Sequence, residues 1–154
     1  MKFDSEDLAR DYNTKSMISF LSDGVKFPDI NIEKIARWLT QVASEYNRTI
    51  GNLTYKFCSD EEILRTNRQF LDHDYYTDII TFDYSIGKKV GADIFISLDT
   101  VRSNSEELGC DYDTELHRVI VHGLLHLCGI ADKTPEQRRE MEEAENRALK
   151  LYEI

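Results

Sequence analysis

Two histidines in the last third of the chain have the types and spacing that can bind a metal ion. The segment VHGLLHLCGIAD places His122 and His126 four residues apart, so on a helix their directions differ by only about 40°. Two imidazoles on one helix face can share a metal. Gly129 suits a left-handed helix end, after which Asp132 would return to the same ion. The sequence therefore predicts one zinc ion per chain, with a fourth position open to water as in catalytic sites.

The surrounding residues favour a metal over an ordinary core role for these histidines. One histidine on an apolar helix is usually a hydrogen-bonded core residue, but two in an apolar run are costly to bury without a ligand or a polar network. The spacing also matches the metzincin frame H-E-x-x-H-x-x-G-x-x-H. Gly123 replaces the glutamate that serves peptidases as general base, and Asp132 replaces the third histidine. The first difference argues against a peptidase of that mechanism.

The elements that must position these residues follow from hydrophobic periodicity and capping signals. Strands are predicted within 17–27 and over 52–59, 77–84 and 91–98; helices are predicted over 30–47, 61–71, 99–108, 114–129 and from 135 onward. Asn31 and Thr134 are expected caps, and either Ser59 or Asp60 can cap the second helix. The segment 114–129 is apolar almost all round from Val119, which predicts a buried helix. Mixed strands and helices indicate an α+β or α/β fold with one small sheet.

Length and composition indicate one folded domain spanning residues 1–154, of which 41% are hydrophobic. No run approaches the roughly 20 apolar residues of a membrane span. The polar N-terminus shows no signal peptide, and three widely spaced cysteines indicate no disulfide framework. We therefore expect a cytoplasmic protein without membrane contact. The net charge of −10 argues against charge-driven nucleic-acid binding, but it permits a locally basic or metal-centred cleft.

Three segments carry a more specific pattern: TNRQFLDHDYYTDIITFDY at 66–84, GADIFIS at 91–97 and HGLLHLCGIADK at 122–133. In this order they resemble L-N-x-x-Y-R-x-x-D-x-x-T-D-V-L-S-F-P, G-D-I-x-I-S and H-G-x-L-H-L-x-G-y-D-H, the motifs of the bacterial YbeY family of rRNA maturation endoribonucleases. The resemblance implies an α+β fold, with a small mixed four-stranded sheet, about five helices and a central buried metal-bearing helix.

The resemblance also implies a function and its partners. It implies a zinc-dependent single-strand endoribonuclease that acts in the cytoplasm in small-subunit rRNA maturation and ribosome quality control. Ribosomal RNA and small-subunit ribosomal proteins would be its partners, and we expect a monomer. His122, His126 and Asp132 would be both the metal ligands and the catalytic centre.

Two departures from the family motifs affect the substrate site. The family's third histidine aligns with Asp132, although two histidines and a carboxylate are a known catalytic zinc set. The family's arginine, the obvious bidentate phosphate contact, aligns with Leu71. Arg68, one helical turn earlier, is the candidate replacement for binding RNA; the alternative is a solvated surface arginine.

The general base is not specified by the metal motif, because no glutamate follows His122. Either water activated by the metal or a carboxylate such as Asp78 could act, and Asp78 is also a candidate substrate contact; the alternative is a turn or cap at Thr77 and Asp78. His73 is expected to be exposed. His117 is expected to point away from the pair, and Cys128 to be a small core residue.

Two other functions remain open on the sequence alone. One is a zinc hydrolase of another substrate class, such as a peptidase or a small-molecule hydrolase. The other is a non-catalytic ribosome assembly factor with structural zinc, whose acidic surface would suit basic ribosomal proteins.

Overall fold

The computed structural model describes residues 17–71 and 77–153. Within these residues the order is β1 (Met17–Ser22), α1 (Ile32–Glu45), β2 (Thr49–Cys58), α2 (Asp60–Thr66), a π-helical turn (Asn67–Leu71), β3 (Ile79–Asp83), β4 (Lys89–Ser97), α3 (Leu98–Leu108), α4 (Tyr112–Leu127) and α5 (Pro135–Glu153). The predicted α+β fold with four strands and five helices is confirmed. The prediction that His73 is exposed concerns a residue outside the described ranges.

The four strands form one mixed sheet in the order β1-β2-β4-β3. β1 pairs with β2 and β2 with β4 in parallel, whereas β3 is antiparallel to β4 and forms one edge. The backbone N–H of Ser97 donates to the carbonyl of Asp78 at 2.9 Å. This bond anchors the chain just before β3, so Asp78 is held at the end of the edge strand.

The buried helix α4 packs directly on this sheet, as its apolar sequence predicts. The Tyr55 hydroxyl on β2 donates to the carbonyl of Ile120 at 2.8 Å. At Gly123, a Cβ would lie 3.0 Å from the Ile94 side chain and 3.1 Å from that of Ile79. The glycine therefore allows close approach of α4 to β3 and β4, and any larger residue here would require these two isoleucine side chains to shift.

The helices α1 and α5 complete the core beside α4. The stripe of α1 that includes Ile35, Leu39 and Val42 is buried, as the helical spacing predicts. The Trp38 indole N–H donates to the carbonyl of Ala148 at 2.7 Å, which ties α1 to the C-terminal half of α5. This contact fixes the helix that approaches the histidines of α4.

The helix caps agree with the sequence prediction, and of the two candidates for α2 it is Ser59 that caps the helix, while Asp60 is its first residue. Asn31 accepts from the N–H of Lys34, Ser59 from that of Glu62, and Thr134 from that of Gln137. Cys58 and Cys128 are buried and Cys110 is exposed, all as free thiols, so Cys128 is the core residue expected. No helix among residues 17–71 and 77–153 combines the length and apolar character of a membrane span.

Candidate metal centre

The turn after α4 brings the chain back to the histidines. Gly129 has φ of +101°, a conformation that favours glycine. Its N–H donates to the carbonyl of His126 at 3.0 Å, and the N–H of Ile130 donates to that of Leu125 at 3.2 Å. Because these bonds close the helix end, the next residues run back along α4. The helix end predicted at Gly129 is confirmed.

This reversal places Asp132 beside His122. The His122 Nε2 and Asp132 Oδ2 atoms are 3.4 Å apart, with 23% and 34% of the two side chains exposed. The ring centroids of His122 and His126 are 6.2 Å apart, with 29° between the ring planes. Asp132 therefore lies against His122 near the end of α4, and His126, one helical turn further along, is the more exposed histidine.

Each histidine is oriented through its Nδ1 atom. His122 Nδ1 is 2.7 Å from Glu145 Oε2, and His126 Nδ1 is 3.0 Å from the carbonyl of Ile130. A carboxylate and a carbonyl only accept hydrogen bonds, so in both neutral rings Nδ1 carries the proton and Nε2 carries the lone pair. This is the tautomer of metal-binding histidines that are held by a neighbouring acceptor.

A buried network of ion pairs contacts His122 at its Nδ1 atom, and the sequence did not predict this network. Glu145 on α5 is only 8% exposed, and Arg118 Nη1 lies 3.0 Å from its Oε1 atom. Arg118 Nε also lies 3.8 Å from Glu115 Oε1. One feature of the sequence could have indicated it. Glu145 falls on the buried stripe of α5 with Met141, Ala144 and Ala148, and a buried carboxylate needs a partner.

The charges around His122 influence one another. Burial lowers the pKa of His122, but the hydrogen bond and charge of Glu145, with the charges of Asp132 and Asp78, raise it above its usual value. Burial raises the pKa of the Asp78 carboxyl, and the charge of His122 partly offsets this. Burial likewise raises the pKa of Glu115, against the charge of Arg118. The site is thus a cluster of carboxylates with an excess of negative charge.

The cluster does not form a complete ligand set in this structure. Across the described ranges, no three His, Cys, Asp or Glu side chains are arranged to hold a metal ion. His122 and Asp132 are the pair in close contact, and His126 lies one helical turn along. Asp78 contributes charge to this region and accepts from Asn104 at 3.5 Å. Arg68 is exposed on the π-helical turn.

A cleft of about 670 Å³ opens beside the candidate centre, and His122 and Asp132 form part of its wall. Its other walls come from the end of α3, from α4 and from the first half of α5. Three arginines line it: Arg118, Arg138 and Arg139. The site is therefore open to a ligand of substantial size, and its cations differ from Arg68, the one that the sequence suggested.

Comparisons with known proteins identify relatives over nearly all of the described chain. The model of the family described as Endoribonuclease YbeY matches residues 17–153. A Bacteroides thetaiotaomicron protein of that name is 56% identical over 134 residues, covering 87% of this chain and 98% of the relative. A Phocaeicola vulgatus protein of the same name is 56% identical over 138 residues, covering 90% and 100%.

A solved structure shares the fold. The solution structure of TM1509 from Thermotoga maritima has a TM-score of 0.62 and 23% sequence identity, and the match covers 88% of this chain and 89% of that protein. At this identity the likeness concerns the arrangement of helices and strands alone. It agrees with the α+β architecture described above.

Proposed function

Since the chain belongs to the Endoribonuclease YbeY family, we propose that it cleaves single-stranded RNA at a zinc ion held by His122, His126 and Asp132. The observation that carries the proposal is the 3.4 Å separation between His122 Nε2 and Asp132 Oδ2. Two ligands of a tetrahedral zinc ion at ordinary bond lengths lie about 3.4 Å apart. The pair is thus spaced to share one ion.

The chemistry of the donor set fits zinc as well. Both imidazoles have Nδ1 tied to an acceptor, which leaves Nε2 as the ligand atom. Asp132 adds a carboxylate, a group that zinc accepts beside two histidines. The excess of carboxylates around His122 also favours a cation there, because buried negative charges are costly without one. The residues present therefore fit the ion that the family resemblance implies.

An open site favours catalysis over a purely structural role. Structural zinc sites are closed by four protein ligands, whereas catalytic sites keep one position free. Here three ligands are proposed, and the site forms part of the wall of a cleft of about 670 Å³. An RNA strand in this cleft would lie directly against the ligand atoms.

Asp78 is the proposed general base. When bound, zinc supplies Lewis-acid chemistry to a phosphate oxygen and lowers the pKa of water. Burial raises the pKa of Asp78, which moves it towards the range where a base works near neutral pH. Its carboxylate would take the proton of the attacking ribose 2′-hydroxyl as the new phosphorus–oxygen bond forms and the bond from phosphorus to the 5′-oxygen breaks, and the leaving 5′-oxygen would take up a proton from Asp78 or from water. Gly123 stands where peptidases of the H-E-x-x-H type carry their glutamate base, so that base is not available here.

The wider role follows the family resemblance. We place the protein in the cytoplasm as a monomer and a single domain that acts on small-subunit rRNA, with small-subunit ribosomal proteins as partners. On this view, the acidic chain relies on its local cleft for RNA binding and on its surface charge for contact with basic proteins.

Metal content and RNA cleavage, measured on the same samples of wild type and His126→Ala, test the proposal. We expect zinc near one per chain and cleavage of single-stranded RNA in the wild type, with both lost in the variant. Circular dichroism checks that the variant is folded. Zinc without cleavage would support an assembly factor, and hydrolysis of casein or model esters alone would support another hydrolase. Full RNA cleavage without metal would overturn the zinc mechanism.

A further inference from the structure

The cleft beside the metal centre contains cations that the family motif does not supply. Position 71, where the family resemblance places a phosphate-binding arginine, is leucine. The described wall of the cleft nevertheless carries Arg118, Arg138 and Arg139. Guanidinium groups match the oxygens of a phosphate in a bidentate way. Whether each arginine can bind a substrate depends on the contacts that it already makes within the protein.

Arg118 is already engaged within the protein. Its Nη1 atom lies 3.0 Å from Glu145 Oε1 and 3.3 Å from Asn146 Oδ1, and its Nε atom lies 3.8 Å from Glu115. Since Glu145 in turn holds His122, removing Arg118 would disturb the metal centre. We therefore assign Arg118 to the support of the site.

Arg138 and Arg139 are differently placed, on the exposed surface of the first half of α5. Arg138 donates from Nη1 to the carbonyl of Lys133 at 2.9 Å, which orients the guanidinium and leaves its other donors available. Arg139 forms no ion pair with any residue of the described ranges. Both can therefore donate to a ligand without breaking an existing salt bridge.

The carboxylates of the cleft do not cancel these two charges completely. Glu115 and Glu145 pair with Arg118, and Asp132 lies against His122. Glu142 is the remaining acidic residue that lines the cleft among the described residues. The outer part of the α5 wall therefore combines two arginines with one exposed carboxylate, in a chain whose net charge is −10.

The geometry points to a phosphate subsite at Arg138 and Arg139 for an RNA strand that runs along α5 towards the metal. This inference rests on the proposed function and adds the residues that replace the missing family arginine. Arg138 precedes Glu145, the residue that touches His122, by seven positions, or about 10 Å along the helix. The subsite therefore binds a phosphate flanking the one that is cleaved.

The test compares Arg139→Ala with Arg147→Ala on the zinc-loaded protein. Both variants remove one exposed positive charge from α5, but Arg147 lines a separate hollow near Gly129. The probe is a fluorescein-labelled oligodeoxyuridylate, which lacks the ribose 2′-hydroxyl, and its binding is followed by anisotropy over a salt series. Cleavage of the matching RNA gives kcat and KM for each protein.

We expect Arg139→Ala to weaken binding roughly tenfold, as for loss of one charged hydrogen-bonding contact. The slope of log K against log salt should fall in magnitude by about 0.7, the value for one phosphate on a single strand. Arg147→Ala should change affinity less than about twofold, and in cleavage the loss in Arg139→Ala should fall mainly on KM. Arg138→Ala/Arg139→Ala should lose more of both affinity and salt slope.

The outcomes separate this inference from the proposed function. If the wild type cleaves RNA and Arg139→Ala behaves like Arg147→Ala in binding and KM, the phosphate subsite is refuted and the function stands. If no protein cleaves RNA but Arg139→Ala selectively weakens binding, the nuclease function fails and the subsite stands.

Discussion

Two histidines on α4 lie five residues apart and occupy contrasting environments. His117 is 7% exposed and packs against aromatic rings, with centroids 6.1 Å from Trp38 and 4.6 Å from Tyr152. Its Nδ1 lies 2.7 Å from the carbonyl of Asp113, one turn earlier. Its Nε2 atom has no hydrogen-bond partner among the described residues. This histidine joins α4 to α1 and the end of α5 by packing.

His122 faces the other side of the helix, since five residues rotate the side chain by about 140°. There Glu145 binds Nδ1 and Asp132 lies 3.4 Å from Nε2. The comparison shows that α4 supplies both rings, while the neighbouring elements decide their chemistry. Aromatic rings from α1 and α5 enclose one histidine, and carboxylates from α5 and the loop after Gly129 contact the other.

The largest expected effect comes from replacing each histidine by phenylalanine. His122→Phe removes a proposed ligand and should abolish zinc binding and RNA cleavage. His117→Phe should keep zinc near one per chain, because phenylalanine suits the contacts with Trp38 and Tyr152 and removes a buried, unpaired nitrogen. Its free energy of unfolding should change by less than about 1.5 kcal/mol. Metal analysis and denaturant unfolding measure the two quantities.

The contrast between the two variants is the decisive result. Equal loss of zinc in both would mean that the metal depends on the general packing of α4. Retention of zinc by His122→Phe would remove this residue from the ligand set.

A smaller effect is expected at Glu145, which orients His122 without being a proposed ligand. Glu145→Gln can still accept from Nδ1 but loses the negative charge that makes the imidazole a better ligand. Zinc affinity, measured by competition with a chelator, should fall about 10- to 100-fold. Glu142→Gln is the matched control, because Glu142 lines the same cleft on α5 and has no described hydrogen bond to His122. Equal affinities for the two variants would show that Glu145 serves only as a partner of Arg118.

The residues that the sequence identified are those joined by short stretches of chain. His122, His126, Gly129 and Asp132 lie within one helix and its terminal turn, so their spacing alone predicts that they meet. Glu145 and Arg118 lie on different helices and form an ion pair. The hydrophobic periodicity of a single helix does not predict a contact between two helices. The sequence shows that glycine replaces the glutamate base at position 123. It does not show that α4 packs closely on Ile94 and Ile79 at this glycine, because that contact depends on how the helix lies on the sheet.

The boundaries of helices and strands also depend on contacts between elements that the sequence does not show. Residues 61–71 were predicted as one helix, but the structure changes from α2 to a π-helical turn at Asn67. β2 was predicted from residue 52 and begins at Thr49. Gly51 and Asn52 are residue types common in turns, yet they lie within β2. The pairing of β2 with β4 shifts its register between Ile50 and Leu53, so these two residues form an irregularity in the strand and do not end it. A bulge of this kind depends on the partner strand.

The smallest expected effect is a pH dependence of the zinc-free protein. The pKa of His122 is raised in the fold, mainly by Glu145 acting against burial. Its stabilising contribution is therefore complete below the unfolded pKa of about 6.5 and is lost as pH rises through the folded value. The raised pKa values of Asp78 and Glu115 act in the same direction from about pH 4 upward. The Tm of the zinc-free protein should thus fall by a few degrees between about pH 6 and pH 8.

Zinc should reverse this trend, because binding requires neutral imidazoles and places a dication among the carboxylates. The rise in Tm on adding zinc should be larger at about pH 8 than at pH 6. Glu145→Gln should flatten the pH dependence of the zinc-free protein, and Glu142→Gln should leave it as in the wild type. A zinc-free Tm that increases over this range would mean that other groups outweigh the cluster around His122. The contrast with His117 would then rest on metal binding alone.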